Sequence, residues 1–88
     1  MEIILSPGAE KRLKKLPKLD QIAVAKKVRS LVEEFVSSRE EKLKGYKDIF
    51  RVRVGDYRIV YQRTRERVYV VLIGHRRDVY QLFRRLFD

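Results

Sequence analysis

Hydrophobic and polar positions alternate with period two across Phe50-Arg51-Val52-Arg53-Val54, break at Gly55-Asp56, and resume at Tyr57-Arg58-Ile59 to run on through Val60, Tyr61 and Gln62. Strict alternation is the pattern of a strand with one buried face. Gly-Asp between two such runs predicts a two-residue hairpin turn, because glycine accepts the positive φ these turns need and aspartate tolerates it. Such a turn fixes the register. Val54 should face Tyr57, Val52 should face Ile59 and Phe50 should face Tyr61 on one side of the sheet. On the other side Arg53 falls directly across from Arg58, with Arg51 next along the same strand.

The rest of the chain is arranged around this hairpin. Ile3 to Leu5 is a short apolar run suited to a first strand. Ser6-Pro7 predicts a helix start, with serine as N-cap and proline at the first helical position. Ala9, Leu13 and Leu16 give that helix a buried stripe, Lys11, Arg12, Lys14 and Lys15 a basic outside, and Pro17 stops it. A second helix is predicted from about Leu19 to about Val36, with Ile22, Ala25, Val28, Val32 and Phe35 on its apolar face. Residues 37–49 read as a polar loop with Leu43 and Tyr46 tucked inward. After the hairpin, Arg63 to Arg67 make a polar turn. Val68 to Ile73 is nearly all apolar and suits an interior strand buried on both faces. A turn centred on Arg65-Glu66 would set Ile59 opposite Leu72 and Arg58 opposite Ile73, so the Arg58 side of the sheet ends beside Gly74, His75 and Arg76. Val79, Leu82, Phe83, Leu86 and Phe87 then form the stripe of a last helix, with Tyr80 and Arg84-Arg85 off it. The predicted architecture is a small single α+β domain over residues 1–88, ordered β-α-α-β-β-β-α with an antiparallel sheet.

Charge turns this scaffold toward a polyanion. Lys plus Arg is 22 and Asp plus Glu is 12, a net charge of +10. Residues 51–88 are basic through ten Arg and no Lys, against four acids, and the guanidinium suits bidentate phosphate contact. RNA, DNA, an acidic protein and an anionic membrane surface all fit such a balance. The absence of Cys from the sequence excludes disulfides, thiolate catalysis and Cys-based zinc sites. A single His argues against a His-based metal site. No apolar run approaches membrane-spanning length. Met-Glu-Ile-Ile-Leu lacks the charged start and long apolar run of a signal peptide, so the expected location is the cytoplasm.

The candidate constellation is Arg51, Arg53, Arg58, Arg76 and Tyr80, with His75 close by and Arg77 as a further phosphate contact. Like charges directly opposite on a sheet are destabilising, so three arginines on one patch point to an anion site; a solvated basic face is the competing account. Cleaving RNA requires a proton taken from the ribose 2′-OH, charge stabilised on the phosphorane and a proton given to the 5′-oxygen. The arginines supply the second need. No carboxylate lies on the Arg face of the hairpin and arginine is a poor base, which leaves Tyr80 or His75 to move protons. Composition and spacing alone reach a small basic domain with an Arg-lined anion site.

Phe50-Arg-Val-Arg-Val-Gly-Asp-Tyr-Arg-Ile-Val-Tyr61, followed by Ile73-Gly-His-Arg-Arg-Asp-Val-Tyr80, resembles the RelE toxins of the RelE/ParE superfamily. The Ser-Pro-x-Ala-x-x-x-Leu opening at Ser6 to Leu13 and the Leu-Lys-Gly before the hairpin are similar too. The resemblance implies a compact RNase-like α+β fold and a type II toxin–antitoxin system. It implies ribosome-dependent, metal-independent cleavage of mRNA in the A site by 2′-OH attack, without a cofactor. It also implies a RelB-like cognate antitoxin that masks the basic face, and allows a toxin–antitoxin heterotetramer. By position, Arg51 and Arg53 match the basic pair of the first hairpin strand, Arg58 the arginine of the second, Arg76 the arginine after the glycine, and Tyr80 the tyrosine of the last helix. Family members often carry Lys at the positions of Arg51 and Arg53, so arginine at both leaves the proton-transfer roles open. The rival readings are a ParE-like DNA gyrase inhibitor and a non-enzymatic RNA-binding module.

Overall fold

The computed structural model describes residues 1–33 and 40–87. Five strands and three helices follow in the order β1 (Glu2–Leu5), α1 (Pro7–Lys15), α2 (Lys18–Ser30), β2 (Glu40–Lys42), β3 (Ile49–Val54), β4 (Tyr57–Arg63), β5 (Arg67–His75) and α3 (Val79–Phe87). The sheet runs β1-β5-β4-β3-β2. α1 and α2 cover one face and α3 covers part of the other.

The hairpin has the predicted register: Val54 pairs with Tyr57, Arg53 with Arg58, Val52 with Ile59 and Phe50 with Tyr61. Gly55 takes the turn's positive φ, +57°. Ser6 caps α1 as expected. Its Oγ accepts from the Ala9 amide at 3.0 Å and donates to the Val71 carbonyl at 2.8 Å, so one hydroxyl starts the helix and ties it to β5.

Alternation splits the interior in two. Val52, Ile59, Tyr61, Val68, Val70 and Ile73 meet Ala9, Val24, Val28 and Leu31 between the sheet and the first two helices. Each fully buried aliphatic side chain there contributes about 1.5–3 kcal/mol of transfer free energy. On the opposite face Ile49, Val60, Leu72, Val79 and Phe83 form a smaller core under α3, joined by the inward-turned Leu43 and Tyr46. β5 supplies buried residues to both, as an interior strand should.

Five expectations change. The sheet is mixed, not antiparallel, because β1 pairs with β5 in parallel. Glu40–Lys42 form an edge strand rather than loop; its pairing with β3 is made by backbone groups, to which polar side chains are no obstacle. α2 is rolled relative to the Ile22 stripe. Val24, Val28 and Leu31 face the sheet and Ile22 is 53% exposed. Asp20 shares the inward side and accepts from the Tyr57 hydroxyl at 3.4 Å, a long-range contact that periodicity within the helix cannot weigh. Phe35 lies outside the described residues. α3 buries Val79 and Phe83 but leaves Leu86 60% exposed.

The β4–β5 register is the fifth change. Tyr61 pairs with Val70, as a turn at Arg65-Glu66 requires, but a bulge between Val60 and Tyr61 shifts the remainder by one residue. Ile59 therefore meets Ile73, and Arg58 meets Gly74 instead of Ile73.

Candidate functional site

Arg51, Arg53 and Arg58 project from the α3 side of the sheet where α3 does not cover it. They line one cavity of about 200 Å³ together with Glu41 and Tyr80. Each wall has a local cause. The period-two alternation of β3 puts Arg51 and Arg53 on one face. The two-residue turn brings Arg58 opposite Arg53. The Gly55 carbonyl accepts from Arg53 Nε at 3.3 Å and from Arg58 Nη1 at 3.2 Å, and Arg58 Nη1 also donates to the Tyr57 carbonyl at 3.0 Å. The hairpin turn is thus a common anchor for two cations that repel each other.

Tyr80 sits in the first turn of α3, off the buried stripe, and is 42% exposed. Arg51 Nη1 donates to its hydroxyl oxygen, and the Arg51 guanidinium carbon lies 5.3 Å from its ring centroid. Arg51 therefore holds the ring by both a hydrogen bond and a cation–π contact. The other arm of Arg51 is paired: its Nη2 lies 2.5 Å from Glu41 Oε2. Burial pushes the pKa of Arg58 below its ordinary value, and repulsion from Arg53, Arg76 and Arg51 adds to the effect. An anion placed among these groups would reverse the sign of that repulsion.

Glu41 is the residue that the sequence did not reveal. β2 sets it opposite Arg51, so a carboxylate does reach the Arg face, from a third strand rather than from the hairpin. Its signal was only the acidic pair Glu40-Glu41 in a segment too polar and too short to read as a strand. Glu40 points to the other side of β2, where its side chain is fully buried with one carboxylate oxygen 3.6 Å from Arg63 Nη2. That contact links β2, the strand which presents Glu41, to Arg63 of β4.

The remaining expected residues do not line the cavity. Arg76 is near enough for its charge to act on Arg58, but its Nε lies 3.8 Å from Asp56 Oδ1 and its backbone amide donates to the Asp56 carbonyl at 2.7 Å. His75 pairs with Tyr57 across β4–β5 and packs edge-on against that ring at 5.9 Å. It therefore lies on the α2 side of the sheet, away from the arginines, which corrects the expectation that it could pass protons at this site. The bulge is the reason: it sets His75 opposite Tyr57 and Gly74 opposite Arg58, where the unshifted register would set Gly74 opposite Tyr57 and Ile73 opposite Arg58. Arg77 is exposed, with its amide donating to His75 Nδ1 at 3.2 Å, and it too stands apart from the cavity. Among the described residues no group of His, Cys, Asp and Glu has the makings of a metal site, and no helix is long and apolar enough to cross a membrane.

Comparison with known proteins brings the fold and the sequence together. The family model described as the ParE toxin of the type II toxin–antitoxin system parDE matches residues 3–80. No curated protein matches. Among solved structures, the chain is similar to one in the intact E. coli RelBE toxin–antitoxin complex, with 26% identity and a TM-score of 0.71, covering 83% of this chain and 93% of that one. It is similar to the E. coli toxin RelE in the free state at 24% identity and a TM-score of 0.75, over 98% of this chain and 96% of that one. A chain of the RelB–RelE antitoxin–toxin complex from Methanococcus jannaschii matches at 22% identity and a TM-score of 0.72, over 91% of this chain and 98% of that one.

Proposed function

The chain belongs to the ParE toxin family of type II toxin–antitoxin systems, within the RelE/ParE superfamily, and from that premise we propose that it is a ribosome-dependent endoribonuclease of the RelE kind that cuts mRNA in the A site. The observation that carries this reading is the convergence of Arg51, Arg53, Arg58 and Tyr80 on one cavity. The cavity is polar, cationic and open to a polymer, and it carries the groups a phosphoryl transfer needs. The ribose 2′-oxygen attacks phosphorus and loses its proton. The bond from phosphorus to the 5′-oxygen breaks, leaving a 2′,3′-cyclic phosphate, and the 5′-oxygen takes up a proton. Arg53 and Arg58 stabilise the charge that builds on the phosphorane. Arg51 orients the Tyr80 hydroxyl, and Glu41, held against Arg51, is the carboxylate in reach to accept a proton. Both Tyr80 and Glu41 are therefore assigned to proton transfer. Arg76 tunes Arg58 through its charge.

An incoming phosphate must compete with Glu41 for Arg51, so substrate entry is coupled to freeing the carboxylate. The proposed protein partner is a RelB-like antitoxin with an acidic segment laid over the basic face. Two of the similar chains of known structure sit in antitoxin–toxin complexes, which supports such a partner here.

A second reading follows from the name of the family model, which is that of ParE toxins: inhibition of DNA gyrase on a related scaffold. Primer extension on an actively translated mRNA, with and without ribosomes, tests the first. Ribosome-dependent breaks within codons are expected. Intact message together with loss of gyrase supercoiling would move the assignment to the second.

A further inference from the structure

The Arg cavity is not the end of the cationic surface. Around the edge of β3, beyond the point where β2 stops pairing at Val52, a groove of about 420 Å³ opens between α2 and the hairpin. Ala23, Lys26, Lys27 and Ser30 line it from one face of α2, at the three- and four-residue spacing that brings helical side chains together. Arg53, Val54 and Gly55 form the other wall. Arg53 lines this groove and the Arg cavity alike, so one guanidinium joins the two. None of the described lining residues is acidic. The Ser30 hydroxyl donates to the Lys27 carbonyl at 2.7 Å, which leaves recognition to the cations. Ala23 and Val54 provide an apolar wall against which a sugar or base can lie, and Gly55 leaves open space where a side chain would otherwise project.

We propose that this groove is a second phosphate site, which holds the backbone of a ribonucleic acid strand running on from the Arg51–Arg53–Arg58 cavity, with Lys26 as its principal contact. The proposal rests on the RNA reading of the Arg cavity and extends its footprint. A polymer that places one phosphate among the arginines must put neighbouring phosphates somewhere, and the path past Arg53 leads to the next array of cations. The phosphates can belong to the cleaved strand or to the RNA of the ribosome, since the chemistry is the same for both.

The test compares Lys26→Glu and Lys26→Ala with Lys11→Glu, which makes the same charge change on the exposed outside of α1, away from both cavities. Binding is measured from about 50 to about 200 mM salt, on programmed ribosomes and on a short single-stranded RNA blocked at its 2′-oxygens. Lys26→Glu is expected to weaken binding several-fold at the low-salt end. It should lower the slope of log affinity against log salt by about 0.7, the value of one lost single-strand phosphate contact. The difference from wild type should then narrow roughly threefold across that salt range. The cleavage step at saturating toxin should be unchanged, because Lys26 does not touch the reacting phosphate. An effect on both RNAs assigns the groove to the cleaved strand, and an effect on ribosomes alone assigns it to ribosomal RNA; either supports the proposal. A Lys26→Glu effect no larger than that of Lys11→Glu on both RNAs overturns it. So does weakened binding of polyglutamate with both RNAs unaffected, which would make the groove a site for an acidic protein. Wild-type chain that binds RNA with a steep salt slope but never cleaves it would sink the endonuclease reading and leave this one standing.

Discussion

Arg51 makes the most consequential contacts in the molecule. It holds Tyr80 with one arm and Glu41 with the other, so replacing it would disturb three groups at once and give an uninterpretable loss. The informative substitutions are around it. On the proposed endonuclease reading, Arg58→Ala removes the donor assigned to the phosphorane and should slow single-turnover cleavage on programmed ribosomes by about 10²-fold, in line with the loss of one oxyanion donor. Tyr80→Phe keeps the ring and the cation–π contact and deletes only the oxygen. Glu41→Gln keeps the shape and deletes the charge. If Tyr80 moves a proton, Tyr80→Phe should fall on the order of 10²-fold, as far as Tyr80→Ala. If the ring only stacks on a base, Tyr80→Phe should stay near wild type while Tyr80→Ala fails, and Glu41→Gln should then carry the large loss. His75→Gln is expected to leave the rate unchanged, because the imidazole packs on Tyr57 at the other side of the sheet; a rate loss with unchanged stability would refute that assignment.

At the scale of elements, α1 and β5 depend on one hydroxyl. Ser6→Ala forfeits the N-cap bond to Ala9 and leaves the Val71 carbonyl without its donor. The expected cost is about 1–2 kcal/mol of unfolding free energy, read from the midpoint of a urea transition with unchanged slope. Ser6→Thr should recover most of it. Elements governed by local chemistry were legible in the sequence: the hairpin through Gly55-Asp56 and its flanking alternation, the first helix through Ser6-Pro7, and the three arginines on a common face. What escaped was set by contacts distant in sequence. The roll of α2 depends on Asp20 reaching Tyr57, the strand character of Glu40–Lys42 depends on an unpaired edge of β3, and the register of His75 depends on a bulge. The same three effects account for the site itself, where Arg51, Arg53, Arg58 and Tyr80 were foreseeable, Glu41 was not, and His75 was misplaced.

At the scale of the whole molecule, two tyrosines tie stability to alkaline pH. Burial pushes the Tyr61 phenol well above its ordinary range, with the neighbouring Glu40 adding to the effect. Tyr57 is raised too, by burial and then by Asp20. A folded pKa above the unfolded one means the neutral phenol is the form the fold favours. That contribution is complete below about pH 10, the ordinary tyrosine value, and is lost as pH rises through the folded values. Ultraviolet titration should therefore show Tyr57 and Tyr61 ionising above the ordinary tyrosine value. Tyr61→Phe should flatten the fall in stability above pH 10. Ionisation of Tyr57 and Tyr61 at the ordinary tyrosine value, in a chain still folded, would contradict the burial argument.

The parallel pair of β1 and β5 has a consequence in time. Glu2–Leu5 are made some sixty residues before their partners, Arg67–Val70. Until then the first strand has no partner strand, Ser6 has no carbonyl to hold, and the core under α1 lacks Val68, Val70 and Ile73. Contacts this distant in sequence also close slowly. A nascent chain halted before Arg67 should therefore be digested readily by protease, whereas one halted beyond α3 and fully extruded should resist. Tyr80 is later still. The cavity that Arg51, Arg53, Arg58 and Tyr80 share is therefore incomplete until α3 has emerged.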